Sequence, residues 1–380
     1  MLPTVLLFAV LYAALGLLLY TWLGYPILLK LLPTRPLKLA AESGLPRVTV
    51  LVTVFNGAGS IRRRLENLVA QDYPADRLRI VVANDGSTDR TSSEARAVGD
   101  PRISVRDFPR AGKSLTQNAV LAGIDDEIVL FTDVDARFAP GFVRELVDGF
   151  RDPRVGATTG RLFVTPDLTV VSDNQRLYWR FEMWLRREES RTGILVTASG
   201  QCMAVRRHLI RPMVGTCGED ALIPLDVALQ GFLVVHVETA VAFDTMPASV
   251  KGELHARARM IARSLCGIRT KKRLLSPLGH PGCALSLWSR KLFRWMTPVF
   301  LAVVVVCSLL LYPRTRWMVY SEAVYAVLCA VGALLERRGR WMPRLVSAAF
   351  SFLLANIGFS LGIFRWLRGR TGVRYTNVPV

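Results

Sequence analysis

Residues 79–98 read RIVVANDGSTDRTSSEARAV, and this stretch contains the pattern that decides the fold. The apolar run Arg79–Ala83 predicts a buried strand, and Thr88–Val98 predicts a helix whose expected N-cap is Ser87 or Thr88. Strands and helices alternate in the same way on both sides of it, so the sequence predicts an α/β domain with a mainly parallel sheet and helices on both faces. The further predicted strands are Val48–Phe55, Ile103–Arg106, Glu127–Thr132 and Leu195–Ala198, and the further predicted helices are Ser60–Gln71, Ser114–Ala122, Val171–Arg191, Asp220–Gln230 and Ser249–Ile268.

The composition is apolar and strongly basic. The chain has 380 residues, of which 51% are hydrophobic, and a formal net charge of +19. We expect no nucleic-acid partner, because there is no zinc-finger spacing, RNA-binding aromatic signature or recognition-helix pattern. Basic residues near membrane segments instead reflect topology and contact with anionic lipids, and a positive field also favours anionic diphosphate substrates. The six cysteines include no Cys-x-x-Cys pair, so neither a disulfide framework nor a zinc site is indicated.

Several segments are apolar enough to cross a membrane. Leu2–Leu29 contains no charged residue, and a cleaved signal peptide fits it poorly because it has no basic n-region and is too long. Three further stretches follow near the C-terminus: Trp295–Tyr312, Trp317–Leu335 and Leu345–Phe364. We therefore expect an N-terminal anchor at residues 1–33, a central α/β domain at 45–280, an amphipathic interface helix at 281–294 and about three membrane helices at 295–367.

Basic residues on both sides of the central domain predict where it lies. They are Lys30, Arg35, Lys38 and Arg47 after the first span and Arg290, Lys291 and Arg294 before the second. The positive-inside rule therefore places the central domain in the cytoplasm, in a multi-pass protein of the cell membrane. Four spans would put the tail outside, although it carries Arg365, Arg368, Arg370 and Arg374. Either one C-terminal segment does not cross fully, or the rule is broken here.

Five short motifs occur in a fixed order along the central domain. They are Thr53-Val54-Phe55-Asn56, Gln71-Asp72-Tyr73-Pro74, Asn84-Asp85-Gly86-Ser87-Thr88-Asp89, Asp133-Val134-Asp135 and Gly218-Glu219-Asp220. Each acidic cluster follows an apolar run or precedes a helical pattern, so we expect it at the rim of the sheet, where α/β proteins bind ligands. Several carboxylates in so basic a chain indicate a divalent cation, Mg²⁺ or Mn²⁺, that bridges the protein to an anionic substrate.

Together these motifs resemble those of the membrane-anchored family 2 glycosyltransferases, the group that contains cellulose, hyaluronan, chitin and poly-N-acetylglucosamine synthases. The resemblance covers about residues 47–300. It implies a GT-A fold and an inverting transfer from a nucleotide diphosphate sugar, usually a UDP-sugar. The acceptor would be a membrane-proximal glycan or a lipid-linked saccharide.

The resemblance also implies roles for individual donor-site residues. Asp85 would accept the imide N–H of uracil, although Asp85 and Ser87 are alternatively caps of the next helix. Asp135 would coordinate the cation, and Asp133 would bind the ribose or the cation indirectly. Lys113 would lie near the donor, or it is a solvated lysine at a helix start. The expected nucleotide-sugar contacts are Thr53, Phe55, Asn56, Asp85, Lys113, Asp133 and Arg259.

Asp220 is the expected general base, because an inverting single displacement needs one carboxylate to take the acceptor hydroxyl proton. Glu219 would orient the site through an ion pair. Both residues are alternatively helix N-terminal acids that the helix dipole favours. Residues 199–207 resemble the family's acceptor-contacting segment, with Gly200, Gln201 and Cys202 as the expected acceptor contacts.

One departure from the family pattern bears on the product. Long-polymer synthases carry Gln-x-x-Arg-Trp near the membrane, whereas the matching place here is Ala256–Met260, which lacks both Gln and Trp. Arg259 can still neutralise the leaving diphosphate, but a stacking platform for a growing chain is missing. We therefore expect addition of one or a few sugars. The alternatives are a processive synthase of the same fold and a non-catalytic, membrane-anchored nucleotide-sugar-binding module.

Overall fold

The computed structural model describes residues 2–41, 44–165, 170–245 and 250–370. Ser249, the predicted start of a helix, and Arg374, one of the basic residues of the tail, lie outside the described residues. Eight strands form one sheet in the order β3-β2-β1-β4-β7-β6-β8-β5. Strands β1 to β4 pair in parallel, β7 runs antiparallel to both β4 and β6, and β6 pairs in parallel with β8. The strands are β1 Val48–Val54, β2 Leu78–Asp85, β3 Ile103–Phe108, β4 Ile128–Thr132, β5 Arg137–Phe138, β6 Val155–Thr165, β7 Met203–Arg206 and β8 Leu233–Thr245. This confirms the mixed α/β fold.

The α-helices lie on both faces of the sheet and at the two ends of the chain. Those of the central domain are α3 Ile61–Val69, α4 Thr91–Arg96, α5 Lys113–Leu121, α6 Phe142–Asp148, α7 Val170–Thr192, α8 Glu219–Leu229 and α9 Val250–Thr270. Those at the ends are α1 Leu2–Leu19, α2 Tyr25–Leu31, α10 Pro281–Ser286, α11 Phe293–Trp295, α12 Thr297–Leu310, α13 Arg316–Arg337 and α14 Arg344–Leu367.

The core lies on both faces of the sheet because successive side chains of a strand point to opposite faces. All seven residues of β1 are buried. Val50 and Val52 belong to one apolar cluster with α3 and α6, while Leu51 belongs to a second cluster with α5 and α8. Such a fully buried strand carries no charged residue and is rich in β-branched side chains, which is why a run of β-branched residues predicted it correctly.

Two local predictions were wrong. The helix after β2 begins at Thr91, not Thr88, because the carboxylate of Asp89 accepts the Thr91 amide at 3.0 Å and ends the preceding turn there. Residues 195–198 are buried but form no strand. Within the predicted helix at Ser60–Gln71, Arg64 is only 1% exposed although it is charged, since it lies on the same side of α3 as Ile61, Leu65 and Leu68.

In the part of the chain that the structure describes, three helical stretches are long and apolar enough to cross a membrane: Pro3–Leu31, α13 and α14. The predicted span at Trp295–Tyr312 is different. Helix α12 covers only Thr297–Leu310, and it meets Pro281–Trp295 at a bend of 55°, so the two together would make a fourth crossing.

Helix α14 differs from the other two candidate spans in its burial. Half of its most apolar stretch of 18 residues is buried inside the protein, against 17% in each of the others. It packs along α9. A Cβ at Gly358 would lie 2.6 Å from Cδ of Arg257, and a Cβ at Gly362 would lie 2.7 Å from Cβ of Ile261. The two glycines therefore allow α14 to approach the charged helix α9 closely.

The segment 281–295 directs its charged side chains into the protein. Arg290 pairs with both Glu182 and Glu189 of α7, and Arg294 donates to Glu182 at 2.8 Å. All four residues are less than 8% exposed. Burial alone would raise the pKa of Glu182, but the arginines around it hold that pKa well below its usual range. Trp288, in contrast, is 42% exposed.

Candidate active site

The predicted donor-site residues come together at one edge of the sheet. Asp85 is the last residue of β2, Asp133 directly follows β4, and Phe55 directly follows β1. These three strands are adjacent and parallel, so their carboxyl ends meet at the same edge.

Asp85 organises the loop that precedes α5. Its carboxylate accepts the backbone amides of Ala111 at 2.8 Å and Gly112 at 3.0 Å, the hydroxyl of Thr116 at 2.8 Å, and the guanidinium of Arg110. Because Asp85 is only 1% exposed, its present contacts are all within the protein. A direct contact between Asp85 and the base of a nucleotide would therefore have to replace one of these hydrogen bonds. The alternative prediction, that Asp85 or Ser87 caps the next helix, is wrong, because neither side chain caps α4.

The end of β1 provides a flat surface beside this loop. The Arg110 guanidinium lies 3.5 Å from the centre of the Phe55 ring. Asn56, at φ 50°, accepts the Thr88 amide at 2.9 Å, and its own amide donates to Ser87 Oγ at 2.9 Å. The buried hydroxyl of Thr53 has no hydrogen-bond partner among the described residues, so it can bind a ligand without losing a contact.

Lys113 links two of the acidic motifs. Its Nζ donates to Asp133 Oδ1 and to Glu219 Oε1, each at 2.5 Å. Burial alone would lower the pKa of Lys113, but the two carboxylates raise it above its ordinary value, so it stays charged. The prediction of a solvated lysine is therefore wrong, and the ion pair expected for Glu219 is present.

Asp133 and Asp135 lie in the bend after β4. The Asp133 side chain is 31% exposed, and Asp135 is exposed. Although Asp135 is accessible to solvent, the protein around it reduces its solvation, and this effect together with the charge of Asp133 raises its pKa. Within the described ranges no group of three or more His, Cys, Asp or Glu side chains is arranged to hold a metal. A cation here would thus need ligands from a substrate as well.

Glu219 and Asp220 begin helix α8 and face the segment around Gly200. A Cβ at Gly200 would lie 2.5 Å from Glu219 Oε1 and 3.5 Å from Asp220 Cβ, so only glycine permits this approach. Asp220 is half-buried and makes no hydrogen bond or ion pair with the residues that the structure describes. Glu219 is buried and paired, whereas Asp220 is available to a substrate.

Of the expected acceptor contacts, Gly200 and Gln201 lie at the site and Cys202 does not. The Gln201 amide donates to Asp244 at 2.5 Å. Cys202 is fully buried, and burial raises the pKa of its thiol to about 11 although Arg186 opposes this. Its side chain belongs to the core, so a role as an acceptor contact conflicts with its placement.

Sequence reasoning missed two arginines at this site. Arg64 donates to Thr132 Oγ1 at 2.5 Å, and Thr132 donates to the Gln201 carbonyl at 2.8 Å, which connects α3 with the segment at Gly200. Burial lowers the pKa of Arg64 to about 9, although Asp133 opposes this. The position of Arg64 on the apolar face of its helix was the signal that could have identified it.

Arg263 is the second missed residue. It lies on α9, one helical turn after Arg259, and its guanidinium is 3.2 Å from where a Cβ of Gly218 would be, beside Asp220. Its Nε is buried and has no hydrogen-bond partner among the described residues. The structure therefore brings Arg263 to the acidic motif. Met260, at the place where the resemblance predicts a Trp in long-polymer synthases, is 50% exposed.

The fold is of the GT-A class. A solved mannosyltransferase, PcManGT from Pyrobaculum calidifontis in complex with GDP-Man and Mn²⁺, is similar to 95% of this chain and 99% of its own, with a TM-score of 0.70 and 22% sequence identity. At this identity the likeness concerns the fold.

The family follows from the sequence itself. The sequence profile described as Glycosyl transferase family 2 matches residues 49–213, and this domain of the chain belongs to that family. An N-acetylglucosaminyltransferase of Azorhizobium caulinodans is 27% identical over 343 residues, which are 81% of this chain and 82% of the relative. One of Rhizobium meliloti (strain 1021) is 30% identical over 236 residues, which are 57% of this chain and only 55% of the relative. The chain is a transferase enzyme with a family 2 domain.

Proposed function

We propose that this protein moves a sugar from a nucleotide diphosphate sugar to an acceptor at the membrane surface, with inversion and by single displacement. The observation that carries the proposal is the Lys113 bridge between Asp133 and Glu219, 2.5 Å to each. It holds the acidic motif after β4 and the acidic motif of α8 at a fixed separation. A donor diphosphate near the first would therefore present its sugar to the second.

Asp220 is the proposed general base. It is half-buried next to Glu219, which is already neutralised by Lys113, so Asp220 is the carboxylate available to take a proton. Such proton abstraction contributes a factor of about 10²–10⁴ to the rate. The acceptor hydroxyl would approach along Gly200, where the backbone lies closest to Glu219.

Asp135 and Asp133 fit a divalent cation of the Mg²⁺ or Mn²⁺ type. Mg²⁺ commonly takes one or two carboxylates and completes its shell with substrate phosphates and water, which agrees with a site of only two carboxylates. Bound there, the cation would neutralise the departing diphosphate. The Mn²⁺ in the PcManGT complex is in accord with this assignment.

Arg263 is the proposed second cation for the diphosphate, in addition to Arg259. A guanidinium binds phosphate through two parallel hydrogen bonds, and the buried Nε of Arg263 still lacks a partner within the described chain. Arg263 would thus share with Arg259 the role of neutralising the leaving diphosphate.

N-acetylglucosamine is the proposed sugar and UDP the proposed nucleotide. The support is that the relatives of Azorhizobium and Rhizobium are N-acetylglucosaminyltransferases. With exposed Met260 in place of a Trp, we expect one to a few additions per acceptor. A processive synthase would instead produce high-molecular-weight polymer before the acceptor is consumed.

A nucleotide-release assay tests the proposal. The purified full chain is incubated with UDP-GlcNAc, UDP-glucose or GDP-mannose, with Mg²⁺, Mn²⁺ or chelator, and with membrane lipid extract as acceptor. We expect metal-dependent UDP release that needs the extract. Binding of UDP-GlcNAc without any turnover would instead support the non-catalytic binding module.

We further propose that the C-terminus lies on the same side of the membrane as the central domain. Along Val250–Ile261, about 16 Å of helix, α9 accompanies α14. This part of α9 carries Lys251, Glu253, Arg257 and Arg259, and each Arg or Lys at a bilayer centre costs about 2.5–3.5 kcal/mol. Helix α14 would therefore lie at the interface, and the crossings would be Pro3–Leu31, the bent pair formed by Pro281–Trp295 and α12, and α13.

A further inference from the structure

Two of the six cysteines meet behind the acidic motif of α8. The sulfurs of Cys217 and Cys266 are 2.7 Å apart. Non-bonded sulfur atoms do not normally approach so closely, and a disulfide, with sulfurs about 2.05 Å apart, needs only a small further movement. Cys217 is fully buried, whereas Cys266 is partly exposed. Their separation in sequence, 49 residues, explains why no cysteine motif revealed the pair.

The surroundings hold both cysteines in place. Cys266 precedes Gly267, where a Cβ would lie 2.6 Å from the carbonyl oxygen of Ala221, so α9 is pressed against the start of α8. The carbonyl of Cys217 accepts the hydroxyl of Ser114 at 2.6 Å. Cys217 is thus bonded to the beginning of α5, next to Lys113, and directly precedes Gly218-Glu219-Asp220.

We propose that Cys217 and Cys266 form a reversible disulfide by exchange with an external disulfide of the glutathione type, and that this bond slows sugar transfer. The thiolate of Cys266 attacks one external sulfur, a mixed disulfide forms, and one external thiol leaves. The thiolate of Cys217 then attacks the Cys266 sulfur and displaces the second external thiol. The protein loses two thiol protons and two electrons, and the external disulfide is reduced to two thiols.

Exposure sets the order of these steps. Cys266 is the accessible thiol. Burial raises the pKa of Cys217, and its neighbour Cys266 raises it further, so Cys217 is a poor target for direct attack by an oxidant. Cys217 acts as the resolving thiol because the mixed disulfide would form beside it.

The effect on transfer rests on the proposed function. Drawing the two sulfurs together moves Cys217, which is hydrogen-bonded to Ser114 next to Lys113 and directly precedes Gly218. A misplacement of about 1 Å in a catalytic site can cost about 10²-fold in rate. We therefore expect the oxidised protein to transfer sugar about 10 to 100 times more slowly than the reduced protein.

The experiment uses the full chain in nanodiscs, equilibrated over a series of glutathione disulfide to glutathione ratios. Free thiols are alkylated, the protein is digested, and the peptides are mapped by mass spectrometry. The same samples are assayed for transfer before and after dithiothreitol. We expect a linked peptide pair containing Cys217 and Cys266, and a transfer rate that dithiothreitol restores.

Two variants make the test decisive. Cys266→Ser should lose the linked peptide and keep its transfer rate at every ratio, whereas Cys283→Ser, which removes another partly exposed thiol, should behave as wild type. Full alkylation of both cysteines at the most oxidising ratio would overturn the proposed bond. A linked pair with an unchanged transfer rate would overturn the effect on activity. If no sugar is transferred even in the reduced protein, the proposed function fails while the peptide map still decides the disulfide.

Discussion

Gly200→Ala should disrupt the active site with a single methyl group. The new Cβ would lie 2.5 Å from Glu219 Oε1, whereas ordinary van der Waals contact begins at 3.4 Å. The carboxylate must therefore retreat by about 0.9 Å, because close-packed interiors do not absorb such an overlap. The same oxygen accepts the Lys113 hydrogen bond, so the bridge to Asp133 must lengthen or break.

A displacement of this size should lower the turnover number about 10²-fold, which raises the barrier by about 2.7 kcal/mol. Overpacking should lower the free energy of unfolding by about 1–3 kcal/mol. Turnover at saturating donor and acceptor, donor affinity by calorimetry and thermal unfolding separate the two effects. Donor affinity should change little, because the proposed donor site lies mainly at the ends of β1, β2 and β4.

Gly279→Ala is the matched control, since no atom lies within 4 Å of its added methyl group. It should retain both stability and turnover. If Gly200→Ala turned over within twofold of wild type while remaining folded, the assignment of this segment to the acceptor approach would be wrong.

Four further changes test other parts of the proposals. Asp220→Asn keeps the shape of the side chain but removes its basicity, so it should bind donor normally and transfer about 10²–10⁴ times more slowly; normal transfer would move the base role elsewhere. Asp135→Asn should weaken metal-dependent donor binding, and wild-type turnover of this variant in chelator would disprove the metal assignment. Arg64→Met removes a buried, charged hydrogen bond and should destabilise the protein by about 1.5–3 kcal/mol in denaturant unfolding, whereas the exposed control Arg62→Met should stay within about 0.5 kcal/mol. In sealed inside-out vesicles, Arg368→Cys, directly after α14, should react with an impermeant maleimide and Arg314→Cys should not; protection of Arg368→Cys would make α14 a true crossing.

The parallel half of the domain could be predicted from sequence because its signals are local. The run Val48–Val54 consists almost entirely of β-branched residues, and the acidic motifs lie at the ends of β2 and β4. Once those strands are parallel, their carboxyl ends must share an edge, which is why the expected donor-site residues converged.

The remainder depends on contacts between residues distant in sequence. Strands β6 and β8 were not predicted, because the Gly- and Thr-containing segment Val155–Thr165 acquires its strand character from pairing with Leu233–Thr245. In the same way, hydropathy predicted a membrane helix at α14 but could not show that a charged helix lies along it. The closeness of Arg263 to Asp220 likewise depends on how α9 packs against α8.

The burial of Arg290 and Arg294 against α7 determines where this chain can be cut. A fragment that ends at residue 280, the boundary suggested by hydropathy, would lose Arg290 and Arg294, the cations that pair with Glu189 and Glu182 inside the protein, and would leave only Arg186, 3.9 Å away, as the ion-pair partner of Glu182 among the described residues. Leaving one partner of such a buried pair alone costs about 3–5 kcal/mol, against a total stability of about 5–15 kcal/mol for a typical domain. A water-soluble catalytic fragment therefore cannot be excised at that point. Recombination that exchanged membrane segments between homologues would also have to carry this interface helix together with its own α7.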